Sequence, residues 1–302
     1  MKKSLVAFMA VVLAIICVSG CSLFDIFDDE DNPSSSSDQA GLLPGKFTVN
    51  EQGGKIGFSK GILLFYPDAE GGQWKFANNQ WDCSATNAIA HFCWGCSGYA
   101  HGAKVTDPTS YSDGHPEDFY AYGDPKASLS EKSGKADWGY NAIVNGGNKE
   151  GKWRTPQSSE IGYIMSKRQT GSGLRYVLAM MDGRRGVIFL PDDWDASKYT
   201  FENPNSREYG TYDKNVISTG DWSKVLEPAG CVFIVAAGQL KSASGFPRPV
   251  VRAGEEGHYW LNGAHPADAT ETSSFFFGPN DASTGYQVRW AGYSVRLVCD
   301  VK

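Results

Sequence analysis

Bases never cluster in this chain. Its 302 residues carry 28 Lys and Arg against 34 Asp and Glu, without the basic stripe that tracks a phosphate backbone. No nucleic acid is expected as a partner. Histidine is scarce as well: His91, His101, His115, His258 and His265 stand far apart, and only His91, Cys93 and Cys96 show the close spacing of metal ligands. No second pair echoes them, so no metal or cofactor is expected. A Gly-x-Ser-x-Gly elbow is missing, and "GGNKEGK" (146–152) lacks both the Walker spacing and a following Ser or Thr. Asp and Glu are plentiful, yet no two are marked out as a glycosidase pair. No catalytic residue is predicted.

A membrane-length apolar run is wanting too. "MKKSLVAFMAVVLAIICVSGC" opens with two lysines and continues as an apolar stretch of about a dozen residues. That is short of the ~20 a span needs and suits the core of a secretory leader. Its end, "VSGC", resembles the lipobox of bacterial lipoproteins, which implies a signal peptide over 1–20 and lipid attachment at Cys21. Ser22, where an inner-membrane retention signal would carry Asp, implies an outer-membrane address. Residues 21–45 form the expected tether, since 22–40 hold six acids, no bases and a serine run and bury too little to order. Without the two leader lysines and these six acids the net charge moves from −6 to −2. The acidity therefore belongs to the tether.

About 260 residues follow, enough for one large domain, expected over 46–302. Helical periodicity is rare, while β-branched and aromatic runs bounded by Gly, Pro, Asp or Asn are frequent. Strands are predicted at 55–67, 72–81, 175–181, 186–191, 231–238, 273–278 and 293–301. Two helices are predicted. One covers 155–169, with Pro156 and Glu160 at its start and Lys167 and Arg168 in its last turn. The other is a short one over 218–230, stopped by Pro228 and Gly230.

Several phrases fall in a familiar order: "FSKGILLF…WKFANNQWD", "WGCSGY", "ADWGYNAIVNGGN", "KWRTPQSSEIGYI", "GVIFLPDDW", "VFIVAAG", "HYW" and "AGYSVRLV". The chain is similar to surface lipoproteins of Bacteroidota and Fibrobacter-type bacteria related to the "major paralogous domain" family. More remotely, "WRTPQSSE" and the closing "GYSVRLV" resemble the formylglycine-generating-enzyme form of the C-type-lectin fold. The resemblance implies an α+β, C-type-lectin-like domain with short helices, twisted antiparallel strands and long loops. It places the strands at 231–238 and 293–301 in one terminal sheet. The oxidase activity does not carry over, because no two cysteines stand close together near the C-terminus. "FGPNDAS" (277–283) faintly echoes a calcium-dependent sugar site but reads as a turn built from Pro, Asn and Asp.

Trp94, Trp153, Arg154, Glu160 and Arg296 are expected to be structural. Trp153 buries ring area, Arg154 offers a planar fork for a carboxylate or carbonyls, and Arg296 pairs within the fold. Tyr259, Trp260, Asn262 and His265, in "HYWLNGAHPAD", are the candidate ligand-binding residues, suited to stacking on and hydrogen-bonding a sugar. The expected function is a lipid-anchored cell-envelope module that binds glycan, matrix or surface protein. The alternative is an exported enzyme, either carbohydrate-active or a thiol oxidoreductase using Cys93 and Cys96.

In an exported chain the remaining cysteines are expected to oxidise. Cys231 pairs with Cys299 if both stand in the closing sheet that the resemblance implies. Cys83, Cys93 and Cys96 then leave one thiol over, with Cys83–Cys93, Cys83–Cys96 and Cys93–Cys96 all open. The resembling lipoproteins keep the Trp and Gly of this turn without its cysteines, which favours a crosslink over redox chemistry.

Overall fold

A computed structural model describes residues 39–99, 115–208, 210–240, 248–279 and 281–302. The leader, Cys21 and most of the tether lie outside these residues, as do His101 and Asn280. Residues 39–45, expected in the tether, belong to the fold: Leu43 is buried, Gly41 O accepts from Lys60 N at 2.8 Å, and Ala40 O accepts from Lys152 Nζ at 2.9 Å. The compact unit runs from Ser37 to Lys302. Among the described residues no helix is long and apolar enough to cross a membrane.

The architecture is mixed α+β, mostly strand, with antiparallel sheets and a few short helices. Strands β1 (Phe47–Thr48) and β2 (Lys55–Phe58) form a sheet with the last strand, β14 (Val298–Val301), in the order β1-β2-β14. The run 55–67, expected as one strand, is broken after Phe58. There Ser59 N turns to Leu297 O, Lys60 N to Gly41 O, and Ser59 Oγ closes on Gly61 O at 2.9 Å. The chain then re-enters as β3 (Leu63–Tyr66), which forms a hairpin with β4 (Gln73–Phe76).

A second sheet follows the order β7-β5-β6-β8. Its hairpin joins β5 (Tyr176–Met181) to β6 (Arg184–Phe189) through Asp182 and Gly183, at φ of 51° and 72°. Two successive positive φ values match the right-handed twist of the flanking strands. The edges are β7 (Val216–Ile217) and β8 (Val232–Val235). All of β8 is buried, as a strand covered on both faces should be. Short β9 (Gln239–Leu240) pairs with β10 (Val250–Val251), and a meander of β11 (Gly257–Ala264), β12 (Glu271–Gly278) and β13 (Asp281–Val288) completes the sheets. Gly278 stands opposite Asp281 and Phe277 opposite Ala282 at the end of the β12–β13 ladder.

Helix α1 (Ser158–Ser166) starts after Pro156, with Glu160 accepting from Gln157 N at 2.8 Å, and buries Ile161, Ile164 and Met165. It stops earlier than expected. Arg168 does not serve the helix dipole; it is buried and donates to Leu190 O at 2.6 Å and to Asp192 at 3.1 Å. One turn, α2 (Thr211–Lys214), precedes α3 (Thr219–Asp221), capped by Ser218 and continued as a wider turn over Trp222–Leu226.

Two apolar clusters sit side by side. One packs the β7-β5-β6-β8 sheet with Phe47, Phe58 and Phe275. The other is aromatic, built from Trp74, Phe92, Trp94, Trp138, Trp153, Trp260 and Tyr293. Successive side chains of a strand face opposite sides, so along β14 Val298 enters the first cluster and Cys299 the second. The expected common sheet for 231–238 and 293–301 is not formed: β8 and β14 lie in different sheets. They are linked instead through Arg296, which donates to Gln80 Oε1 at 3.1 Å, while that oxygen also accepts from Phe233 N at 2.8 Å. Cys231 and Cys299 fall in separate clusters and form no bridge; both are free.

Candidate functional site

The stretch expected to offer ligand contacts is a strand, β11, and period-two alternation carries its rings inward on both sides. Tyr259 is buried and donates to Val235 O. Trp260 is fully buried, donates to Phe92 O at 2.6 Å and packs on Tyr293 with ring centroids 4.5 Å apart. Asn262 is buried against the 129–130 segment: its O accepts from Leu129 N at 3.1 Å and its Oδ1 from Ser130 at 3.4 Å. None of the three presents a face to solvent. His265 is half-buried, with its edge on the exposed ring of Tyr286 at 4.2 Å and Nδ1 accepting from Asp268 N at 2.7 Å. The four residues therefore make no common site.

The five residues expected to be structural sit at junctions of the fold. Arg154 grips Glu160 with two hydrogen bonds of 2.7 and 2.8 Å and reaches Asp300 at 2.6 Å. Trp153 donates to Gly146 O at 2.9 Å and meets Phe76 edge-on at 4.9 Å. Trp94 donates to Leu261 O at 2.9 Å, and the Arg289 guanidinium lies 4.6 Å from its ring centroid. Arg296 is buried with no salt bridge to a carboxylate among the described residues, and desolvation pulls its guanidinium down to about 10.

Among the described residues, depressions of about 590 and 670 Å³ open to solvent. The first has walls from the 83–91 segment, Ala237, Leu240 and Val250. His91 stands in it, with Nε2 donating to Ala237 O at 2.9 Å. Burial pushes this imidazole down to about 4, so it is neutral at pH 7. Cys83, half-buried in the same wall, lies beside Arg184. The surface is mainly aliphatic and lacks an aromatic platform.

The second lies between the 50–52 turn and the outer face of α1. Asn50, Gln52, Gln157, Ser159, Tyr163 and Lys167 bring amide, hydroxyl, ammonium and ring together there. This polar groove was missed from sequence because its two walls are about a hundred residues apart. The helix signal that marked 155–169 located one wall only.

The Cys93-Trp94-Gly95-Cys96 turn lies in the aromatic cluster, with both sulfurs buried. Cys96 N donates to Cys93 O at 3.2 Å, and Gly95 takes φ of 77°. Cys93 neighbours the Cys96 thiol and, after burial, helps to push it up, and Arg248 Nη2 lies 3.5 Å from Cys93 Sγ. Nothing in the sequence singled out Arg248. Among the described residues no group of His, Cys, Asp and Glu is arranged to hold a metal ion.

No family model, no curated protein and no solved structure matches the chain. Fold and surface define the class: an antiparallel α+β protein with an aliphatic cleft and a polar groove.

Proposed function

We propose that this chain is a lipid-anchored cell-envelope binding module of C-type-lectin-like fold, and that its ligand is a glycan seated in the polar groove beside α1. The groove's chemistry carries the reading. Amides and hydroxyls in an open depression match the hydroxyl-rich edge of a sugar, and Tyr163 supplies a ring to stack on its apolar face. The aliphatic cleft lacks such a platform. Leader, lipobox and acidic tether support attachment at Cys21 to the outer membrane, and the tether gives the domain reach from it. Pairing of the first strands with the last supports the lectin-like reading, in which a "GYSVR" segment closes the domain.

A glycan array probed with the whole chain tests the proposal, alongside a pull-down against envelope fractions. A retained glycan should lose about tenfold in affinity with Tyr163→Ala, a change worth about 1.4 kcal/mol. An empty array together with an empty pull-down sinks the reading. So does a glycan that binds the Tyr163→Ala variant as tightly as the parent.

A further inference from the structure

Three pairings were open to Cys83, Cys93 and Cys96, and the structure separates them. Cys83 packs at the edge of the sheet cluster and beside Arg184, whereas Cys93 and Cys96 share the aromatic cluster and a single turn. The turn hydrogen bond from Cys96 N to Cys93 O belongs to a geometry that keeps residues i and i+3 within ~7 Å. A disulfide spans roughly 4.4–6.8 Å between Cα atoms, so closure needs little backbone movement. Arg248 adds a permanent cation at the Cys93 sulfur and is itself fixed by a bond to Trp290 O at 2.9 Å. Trp290 O also accepts from Cys93 Sγ at 3.4 Å.

We propose that Cys93 and Cys96 are a dithiol–disulfide couple, closed by exchange with a dialkyl disulfide and assisted by Arg248. Cys93, as its thiolate, attacks one sulfur of the oxidant RSSR. A mixed disulfide forms, and RS⁻ leaves with the bonding pair. Cys96 gives its proton to solvent and attacks Cys93 Sγ, forming the Cys93–Cys96 bond and expelling the second RS⁻. The two leaving thiolates take up the two protons. Two protein thiols have then lost two electrons, and one disulfide has been reduced to two RSH. Negative charge on Cys93 Sγ in the first step, and again as it is attacked, faces the Arg248 guanidinium. Burial, and then the adjacent Cys93, push the Cys96 thiol well above its ordinary range. Cys96 thus keeps its proton longer and is suited to the second attack.

Closure has a structural consequence. Cys96 O accepts from Trp138 Nε1 at 2.8 Å and Trp94 donates to Leu261 O, so the bond would fasten a turn on which two buried tryptophans depend. Both sulfurs are buried, and exchange therefore passes through locally opened chains.

The test uses the full chain, oxidised glutathione as oxidant, acid quenching, alkylation and peptide mass mapping. The expected product is an internal Cys93–Cys96 linkage, unaffected by Cys83→Ser. Sub-denaturing urea should speed its formation. Arg248→Gln should slow closure about fivefold, corresponding to about 1 kcal/mol of lost charge stabilisation, while Arg248→Lys should close nearly as fast as the parent. Alkylation of both thiols after oxidant treatment overturns the proposal, as does a linkage from Cys83 to either cysteine. Equal closure rates in the parent and Arg248→Gln overturn the role of the guanidinium.

Discussion

Arg154 and Glu160 are joined by two parallel hydrogen bonds of 2.7 and 2.8 Å, and the same carboxylate accepts from Gln157 N at 2.8 Å. One side chain thus starts α1 and ties it to the segment that pairs with β14. Removing one partner of a fully buried pair costs about 3–5 kcal/mol, because the other charge is left uncompensated. Arg154 keeps 24% of its side chain exposed. Glu160→Ala is therefore expected to cost about 2–3 kcal/mol, helix start included, read from the midpoint of chemical denaturation.

His91 sets a pH dependence. Its folded value of about 4 lies below the ordinary 6.5, so between these pH values the unfolded chain binds a proton that the native chain refuses. Stability is then full above about pH 6.5 and falls toward pH 4, by up to about 3 kcal/mol from this one group. Gln can keep the bond to Ala237 O without titrating. Denaturation of the parent and His91→Gln at several pH values should show the parent losing stability relative to the variant across this window as pH falls.

Gly139 sits where the 138–140 turn meets the chain at Trp153. A Cβ there would lie 2.3 Å from the Trp153 carbonyl carbon and oxygen. Backbone on backbone has no flexible end to yield. Gly139→Ala is expected to lower stability by more than about 3 kcal/mol, seen as a large drop in melting temperature or loss of soluble protein.

The proposed anchor has its own check. Cys21→Ser is expected to abolish incorporation of labelled fatty acid and to release the chain from the membrane fraction, with folding unchanged by circular dichroism. Equal labelling of the parent and the variant contradicts attachment at Cys21.

Much of the element order was legible because β-branched runs and the Pro156–Glu160 helix start are local signals. The strand β13 was not, since "DASTGYQV" is polar and glycine-bearing and pairs only because β12 lies beside it. "HYWLNGAHPAD" misled for a related reason. Aromatic and amide side chains look alike whether they will meet a sugar or a neighbouring strand, and only tertiary placement turned Tyr259, Trp260 and Asn262 inward. Sheet membership failed as well: proximity of β8 and β14 runs through the side chains of Arg296 and Gln80 rather than through a backbone ladder. Arg248 reached Cys93 across 155 residues, a distance no spacing rule spans.

The position of β14 also has a temporal side. Its Val298 and Cys299 complete opposite clusters, and its partners β2 and Arg154 leave the ribosome far earlier. Neither cluster can finish packing until this last strand is available. Such remote pairings make for slow folding, and both clusters stay incomplete through most of the chain's synthesis.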